Sequence, residues 1–139
     1  MAHATNFDMA KKPMAIDWLD SYCLGHPEID AQHQTLFELV NRLLAATEKA
    51  SLTDAIVKLV EYTRAHFAHE ETLMLAIGYP HTVVHVDQHL TLLSKLNNVA
   101  ELIANYTFDV ATFKSFLSAW LLNHIETLDA QLVSFIGRK

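Results

Sequence analysis

The sequence predicts an all-α fold, an up-down-up-down antiparallel four-helix bundle at residues 29–139 preceded by an N-terminal arm. Four stretches carry apolar residues at the 3.6-residue period of an α-helix. The chain has 139 residues but only three glycines and three prolines, and the breaks between the stretches are short. Short connections force neighbouring helices to run antiparallel. Because this length is ordinary for one domain, we expect a single domain over residues 1–139.

The arm is predicted at residues 1–28, which show no sustained hydrophobic period and are punctuated by turn-forming residues such as Gly25 and Pro27. A chain without such a period cannot bury one continuous face as a helix does. We therefore expect an extended segment that packs onto the bundle through the aromatic rings of Trp18 and Tyr22.

The first two helices are delimited by residues that favour helix ends. Asp30 is a candidate cap for a helix that runs to about Lys49, and Ser51 or Thr53 can cap the second helix. Gly78 is expected to end the second helix, because glycine readily adopts the left-handed conformation found after many helix ends.

The last two helices follow from the same reasoning. The third helix is predicted to begin near Pro80 or His81, since proline is tolerated in the first helical turn. Residues 105–108 are predicted to form a loop, and Asp109 is a favourable cap for the fourth helix.

Composition and charge exclude several classes of protein. The formal net charge of −6 argues against nucleic acid or an anionic membrane as partner. Cys23 is the only cysteine, so neither an internal disulfide nor a cysteine-cluster metal site can form. No segment has the apolar length of a signal peptide or a membrane span. We therefore expect a cytoplasmic protein without membrane insertion.

Polar side chains stand in the apolar stripes of all four helices. His66 and Glu70, and likewise His85 and His89, are four residues apart and so share a helix face. A single histidine in such a stripe is usually a satisfied core residue, but a buried carboxylate needs a partner, because burying an unpaired charge is costly. A centre of net positive charge among them would satisfy the whole set, so we predict a metal site formed by His33, His66, Glu70, His85, His89, His124 and Asp129.

Asp129 is the member of this set that periodicity does not support. It follows His124 by five residues, which is about 140° on an ideal helix, and the neighbouring Leu128 has the better phase. The two side chains can converge if the fourth helix contains a π-bulge, a feature common at functional sites.

The number and type of ligands restrict the metal. Seven protein ligands are too many for one tetrahedral zinc ion and fit two metals bridged by two carboxylates. Imidazole suits iron, copper or zinc, and bridging carboxylates favour iron or manganese over copper. The Glu-x-x-His pair of ferritin-type di-iron bundles is absent. Fewer anionic ligands suit reversible dioxygen binding better than the stabilisation of high-valent iron.

The chain resembles the hemerythrin family, specifically its bacterial members, in four segments and one further acid. The segments are Ile29–His33 (IDAQH), His66–Glu71 (HFAHEE), His85–His89 (HVDQH) and Trp120–Ile125 (WLLNHI), followed by Asp129. Each segment alone is a weak signal, but all of them in this order are specific, and the resemblance covers nearly the whole chain.

The resemblance implies a centre of two iron ions with an oxo or hydroxo bridge. One iron would be held by three histidines and the other by two, with dioxygen binding at the vacant position of the two-histidine iron. Carboxylates would bridge the pair. In this sequence the resemblance implies that His85, His89 and His124 hold the first iron and that His33 and His66 hold the second. The bridging carboxylates would be Glu70 and Asp129.

Four bulky residues are predicted to wall the dioxygen pocket, namely Leu36, Phe67, Trp120 and Leu121. Each lies within about one helical turn of a candidate ligand, and the resemblance places the same positions around the pocket. The alternative is that these four are ordinary core residues, which would explain their position in the apolar stripes equally well.

The expected function is reversible dioxygen binding for transport, storage or delivery to an oxygen-consuming enzyme, by a monomer that is not itself an enzyme. The alternatives are an oxygen- or iron-sensing module and a di-iron oxidase or peroxidase. Three polar residues near the ligands, His69, Glu71 and His81, are predicted to be surface residues outside the site.

Overall fold

The computed structural model describes residues 15–138, so the predicted arm is described only from residue 15 onward. Its helices are α1 (Pro27–Ala45), α2 (Lys49–Ile77), α3 (Thr82–Ala104) and α4 (Val110–His124), the last continuing through a π-helical turn (Ile125–Asp129) into α5 (Ala130–Gly137). No β-strand occurs within residues 15–138. The predicted four-helix bundle is confirmed, with α4, the π turn and α5 as its fourth rod.

The described part of the arm packs onto the bundle as predicted. The ring of Trp18 makes edge contacts with Phe37 and Tyr22, with centroids 5.1 and 5.5 Å apart. The Asn41 side chain accepts a hydrogen bond from the Ile16 amide at 2.7 Å and donates one to the Ile16 carbonyl at 2.9 Å. The arm is therefore attached to α1 by aromatic packing and by a paired side chain–backbone contact.

The prediction that Asp30 caps α1 is wrong. The helix begins at Pro27, three residues before Asp30, because proline has the backbone torsion of a first helical residue and lacks the N–H that would need a partner there. The capping atom is Nδ1 of His26, which accepts the Ile29 amide at 3.2 Å.

Asp30 binds the arm instead. Its carboxylate accepts hydrogen bonds from the amides of Leu24 at 2.8 Å and Gly25 at 3.1 Å. Gly25 has a φ of +91°, a conformation that favours glycine. Asp30 therefore fixes the turn by which the arm enters the bundle.

The cap predicted for α2 is also wrong, whereas its end is confirmed. The helix starts at Lys49, directly after a three-residue connection, and the Thr53 hydroxyl donates to the Lys49 carbonyl inside the helix. Gly78 ends α2 with a φ of +66°. The following amide, that of Tyr79, donates to the Met74 carbonyl at 2.9 Å, which is the hydrogen bond of a glycine-terminated helix.

The end predicted for α1 is wrong, since the helix ends at Ala45 and not near Lys49, because the backbone of Ala46 is extended with φ −75° and ψ 140°. The boundaries predicted for α3 and for the start of α4 agree with the structure. Helix α3 begins at Thr82, two residues after Pro80, and residues 105–109 connect it to α4. Asp109 caps α4, since its carboxylate accepts the Thr112 amide at 3.2 Å and also the Thr112 hydroxyl.

The core has three apolar clusters. The largest combines side chains from all four rods, including Leu43, Ile56, Leu96 and Phe113. A second, against which the arm packs, consists of Phe37, Leu121 and Ile125. The third, at the α2–α3 connection, consists of Met74, Tyr79 and Leu132, and the predicted metal-binding side chains lie between it and the largest cluster. Within residues 15–138, no helix combines the length and the apolar character needed to cross a membrane.

Candidate metal centre

The structure brings all seven predicted ligands together in the middle of the bundle. Each side chain is nearly or fully buried. Their ligand atoms form two groups in which every atom lies within 4.8 Å of the others. These groups are Glu70, His85, His89, His124 and Asp129 on one side, and His33, His66 and Glu70 on the other. We call His85, His89 and His124 the three-His half, and His33 and His66 the two-His half.

Glu70 lies between the two halves with one carboxylate oxygen toward each. Its Oε1 is 3.1 Å from Nε2 of His89 and 3.6 Å from Nε2 of His85. Its Oε2 is 3.4 Å from Nε2 of His66 and 3.9 Å from Nε2 of His33. One carboxylate is thus in reach of both groups of imidazoles through different atoms.

Asp129 divides its oxygens in the same way. Its Oδ1 lies 2.9 Å from Nε2 of His85 and 3.2 Å from Nε2 of His124. Its Oδ2 lies 3.0 Å from Nε2 of His33. The two acids therefore have equivalent positions between the halves, which is the arrangement that two bridging ligands require.

The local structure of α2 and α3 explains how four of these side chains converge. His66 with Glu70 on α2, and His85 with His89 on α3, are one helical turn apart and project from one face. Since α2 and α3 are antiparallel neighbours joined by residues 78–81, both faces meet at the same height in the bundle.

Asp129 reaches the centre because the fourth rod contains the predicted π turn. The turn spans Ile125–Asp129 and adds about one residue to the helical repeat. As a result Asp129 is only 1% exposed, whereas Leu128, which has the better phase on a regular α-helix, is half-buried. The π-bulge inferred from the ligand set is confirmed.

The polar atoms at the centre are buried without a hydrogen-bond partner of suitable geometry among residues 15–138. They include Nε2 of four histidines, both oxygens of Glu70 and Oδ1 of Asp129. A buried polar atom left unsatisfied costs about 1–3 kcal/mol, so a group of them is not expected in a stable core. Nitrogen and carboxylate donors directed at one region are the ligand set of a transition-metal site, and the residues fit such a metal.

Two residues outside the ligand set orient ligand imidazoles. Gln32 places Oε1 2.6 Å from Nδ1 of His66, and Glu71 places Oε2 2.8 Å from Nδ1 of His89. Because these oxygens can only accept, each ring must carry its proton on Nδ1, which leaves the Nε2 lone pair free for a metal.

Glu71 and Gln32 were not identified as functional residues from the sequence. The sequence predicts that Glu71 faces solvent outside the site, but Glu71 contacts a ligand of the centre. Glu71 is 34% exposed, but its carboxylate points inward to His89. The missed signal was helical phase, since Glu71 lies four residues after the buried Phe67 and three before the buried Met74.

The protonation states of the metal-free centre suit a cation. Burial, reinforced by neighbouring imidazoles, lowers the pKa of His66 to about 3 and of His89 to about 2, so both rings are neutral. Burial opposes the charge of Asp129, but the imidazoles of His124, His33 and His85 outweigh it and hold the pKa of Asp129 well below its usual value.

Other members of the centre have raised pKa values. Burial, together with the charge of Asp129, raises the pKa of Glu70 to about 7. Burial lowers the pKa of His85, but hydrogen bonds and charge from Asp129 and Glu70 raise it to about 9. Metal ligands must be deprotonated, so a bound cation would displace these protons and take over their role in balancing the carboxylates.

Aromatic rings cover part of the three-His half. Phe67 stacks on His89, with a centroid distance of 3.6 Å and an interplanar angle of 5°, and Trp120 stacks on His124 at 4.6 Å and 11°. The predicted pocket residues Leu36, Phe67 and Leu121 are buried, and Trp120 is half-buried. Phe67 and Trp120 thus contact ligand imidazoles directly, while the assignment of Leu36 and Leu121 to the pocket stays a prediction.

Of the two histidines predicted to be surface residues, His81 is exposed as predicted, whereas His69 is half-buried, with its side chain 34% exposed. Nε2 of His69 pairs with Oε1 of Glu28 at 3.1 Å, near the start of α1. His81 is exposed and occupies the position before α3.

Comparison with known proteins agrees with this geometry. The family model of the hemerythrin HHE cation binding domain matches residues 24–136. A bacteriohemerythrin of Pseudomonas aeruginosa is 34% identical over 122 residues, which cover 86% of this chain and 80% of the relative. A hemerythrin-like protein of Naegleria gruberi is 31% identical over 117 residues, covering 84% and 90%.

Solved structures show the same architecture. A hemerythrin carrying a leucine-to-alanine substitution aligns with a TM-score of 0.75 at 25% identity, covering 84% of this chain and 92% of the other. A leucine-to-tyrosine variant also aligns with a TM-score of 0.75, at 24% identity. The similarity therefore extends over the whole bundle.

Proposed function

The chain belongs to the hemerythrin family, and on this premise we propose that it binds dioxygen reversibly at a centre of two iron ions. His85, His89 and His124 would hold one iron, and His33 and His66 the other. Glu70 and Asp129 would bridge them.

One observation carries the proposal. Glu70 and Asp129 each direct one oxygen to the three-His half and the other oxygen to the two-His half. A site for a single ion would gather its ligands around one point, whereas here each carboxylate contacts two groups of imidazoles through separate atoms. Two metals bridged by two carboxylates satisfy every one of these atoms.

A pair of irons would supply the two electrons that dioxygen binding takes up, which zinc cannot do. The protein's own contribution is an unequal distribution of ligands. The two-His half has one imidazole fewer, so it is the half with room for an external ligand. Leu36, Phe67, Trp120 and Leu121 would supply the apolar surroundings that keep water from the centre. Of these, Phe67 contacts the two-His half, with its ring 5.8 Å from that of His66, whereas Trp120 stacks on His124 in the three-His half.

The role that suits this arrangement is carriage of dioxygen, by transport, storage or delivery to an oxygen-consuming enzyme. Supporting this role, each of the five imidazoles has its Nε2 between 2.9 and 3.9 Å from an oxygen of Glu70 or Asp129, so all seven side chains are placed as ligands. An oxidase or peroxidase would need a further acid or base beside the open position. The sensing alternative would need a change of structure that depends on the bound ligand.

The test is a cycle of oxygen binding and release. The iron-loaded protein is reduced without air, exposed to air and then purged with argon while the visible spectrum is recorded. We expect about two irons per chain, one for each half, and an absorption band that appears in air and disappears under argon. A matched pair of variants identifies the site, because His66→Ala should lose the band and His69→Ala should retain it.

A band that bleaches irreversibly, or turnover of an added reductant, would contradict the carrier function. An iron content near one per chain in the unsubstituted protein would contradict the bridged pair.

A further inference from the structure

The two halves of the centre differ in the acceptors that hold their imidazoles from outside. In the two-His half, Nδ1 of His66 faces the neutral amide oxygen of Gln32 at 2.6 Å. In the three-His half, Nδ1 of His89 faces the carboxylate of Glu71 at 2.8 Å. We propose that Glu71 is a positioning residue whose charge makes the three-His half the tighter of the two metal sites. This inference rests on the proposed two-iron centre.

The His89 ring is constrained on two sides, so the position of Glu71 determines its orientation. Phe67 stacks flat against one face of the ring at 3.6 Å and 5°. Glu71 then contacts the edge of the ring that carries Nδ1, while Nε2 points to Oε1 of Glu70 at 3.1 Å. The same ring is thus stacked, hydrogen-bonded on its outer edge and directed at the centre on its inner edge.

His66 has a looser arrangement. Phe67 contacts it at 5.8 Å with an angle of 44° rather than by stacking. Its outer acceptor, Gln32, carries no charge. The His66 imidazole is therefore oriented by a hydrogen bond but is not polarised by a full charge.

The difference in charge matters because a carboxylate is a stronger acceptor than an amide. Hydrogen bonds to an ionised acceptor are roughly twice as strong as neutral ones. A carboxylate on Nδ1 also raises the basicity of the ligating nitrogen, and such partners typically contribute 10–100-fold to metal affinity.

The other ligand imidazoles do not offset this difference. Nδ1 of His33, His85 and His124 has no hydrogen-bond partner among residues 15–138. Glu71 therefore provides the one carboxylate that contacts the outer edge of a ligand imidazole within the described part of the chain. The three-His half thus has both the larger number of imidazoles and, in His89, the imidazole that donates most strongly to a metal. We therefore expect the metal of this half to dissociate last and to favour the ferric state.

The experiment follows iron release from the fully loaded protein after addition of a strong chelator. We expect a fast phase from the two-His half and a slow phase from the three-His half, of about one iron each. Glu71→Gln keeps an oxygen acceptor but removes the charge, and should accelerate the slow phase by about 10–100-fold while the fast phase stays unchanged. Gln32→Glu should slow the fast phase.

The control is Glu61→Gln, which removes the same charge from an exposed position on α2 and should alter neither phase. A second readout separates polarisation from general loosening. Loss of the Glu71 charge should raise the reduction potential of the centre, because the ferric state is no longer stabilised. Glu61→Gln should leave the potential unchanged.

Release phases and potential of Glu71→Gln that match those of the unsubstituted protein would overturn the proposal. Equal acceleration of both phases in Glu71→Gln would overturn it as well, because that result indicates loss of packing. The unsubstituted protein tests the premise separately. A single phase that accounts for one iron would contradict the two-iron centre, whereas two phases insensitive to Glu71 would refute only the role of Glu71.

Discussion

Nε2 of His124 and Oδ1 of Asp129 lie 3.2 Å apart although the two residues are five positions apart on one helical rod. A regular α-helix would separate their directions by about 140°. The π turn at Ile125–Asp129 removes that separation. The same turn brings Leu132, eight residues after His124, into the core beside Met74 and Tyr79. The π turn therefore sets both a contact of the centre and the packing of α5.

Deleting one exposed residue of the π turn, Thr127, is expected to preserve the centre. On a regular α-helix the aspartate would then follow His124 by four residues and Leu132 would follow it by seven, and both spacings lie on the face of His124. Iron content measured by elemental analysis should remain at the level of the full-length protein. Inserting an alanine after Thr127 should abolish it, because a π turn absorbs one extra residue and the six-residue spacing would still leave the two directions about 140° apart. Loss of iron in the deletion variant would contradict this explanation of the π turn.

The positions that could be predicted from sequence are those that helical phase determines. His66, Glu70, His85 and His89 occupy regular turns of α2 and α3, so spacing alone predicts that each pair shares a face. Asp129 is different, because no pattern of apolar residues marks a π turn. Its place could be inferred only from the ligand set as a whole and from the family resemblance.

The two features that the sequence analysis missed, the start of α1 and the contact of Glu71, depend on neighbouring residues rather than on residue type alone. Asp30 is a good helix cap by type, but Pro27 upstream starts the helix earlier and leaves the Asp30 carboxylate free to bind the arm. Glu71 sits at the edge of the apolar stripe of α2. Its phase, four residues after Phe67, could have placed it beside the core, but that its carboxylate meets His89 follows only from how α3 packs against α2.

Glu70→Gln should lower the occupancy of both irons, since each Glu70 oxygen faces a different half. The amide keeps the shape of the side chain but is a weaker ligand without charge. His66→Ala affects one half only, and should leave about one iron per chain. The measurement is iron per chain after loading under identical conditions. His69→Ala, outside the centre, serves as the control and should match the unsubstituted protein.

Removal of the metals should destabilise the protein strongly. The metal-free centre contains buried carboxylates and imidazoles that must keep protons or remain unpaired. At free metal a thousandfold above its dissociation constant, binding stabilises the folded state by about 4 kcal/mol. For a domain of this size we expect the thermal midpoint to fall by roughly 10–15 °C, measured by circular dichroism with and without chelator. Equal midpoints for the two forms would count against a buried site.

Asp30→Ala tests the attachment of the arm rather than the metal. The substitution removes the acceptor for the amides of Leu24 and Gly25 at 2.8 and 3.1 Å. Because Asp30 is buried, we expect a loss of about 1–3 kcal/mol in the free energy of unfolding, measured by urea denaturation of the iron-loaded protein. Iron content should stay unchanged.

The control for Asp30→Ala is Asp54→Ala, which removes an exposed acid paired with Lys58 at 3.1 Å one turn away. Exposed pairs of this spacing contribute about 0.3–0.5 kcal/mol. If the two substitutions have equal effects, Asp30 does not fix the arm in the way that its hydrogen bonds indicate.

Leu121→Ala should separate the pocket role of this residue from its role in packing. Leu121 is buried beside Phe37 and Ile125, three residues before His124. If Leu121 is only a core residue, its truncation to alanine should lower the free energy of unfolding by about 2–5 kcal/mol and leave oxygen binding unchanged. As a wall of the dioxygen pocket, its removal should also admit water and accelerate decay of the oxygenated form to the ferric state.

The comparison that decides between these roles is with Leu96→Ala. Leu96 is equally buried, but it lies in the large apolar cluster on α3, seven residues beyond His89. Both substitutions should lower stability by similar amounts, because both leave a cavity of the same side-chain volume. Only Leu121→Ala should shorten the lifetime of the oxygenated protein, followed by loss of its visible band in air at matched temperature and pH. Equal decay rates in the two variants would show that Leu121 is ordinary core and that the pocket wall lies elsewhere.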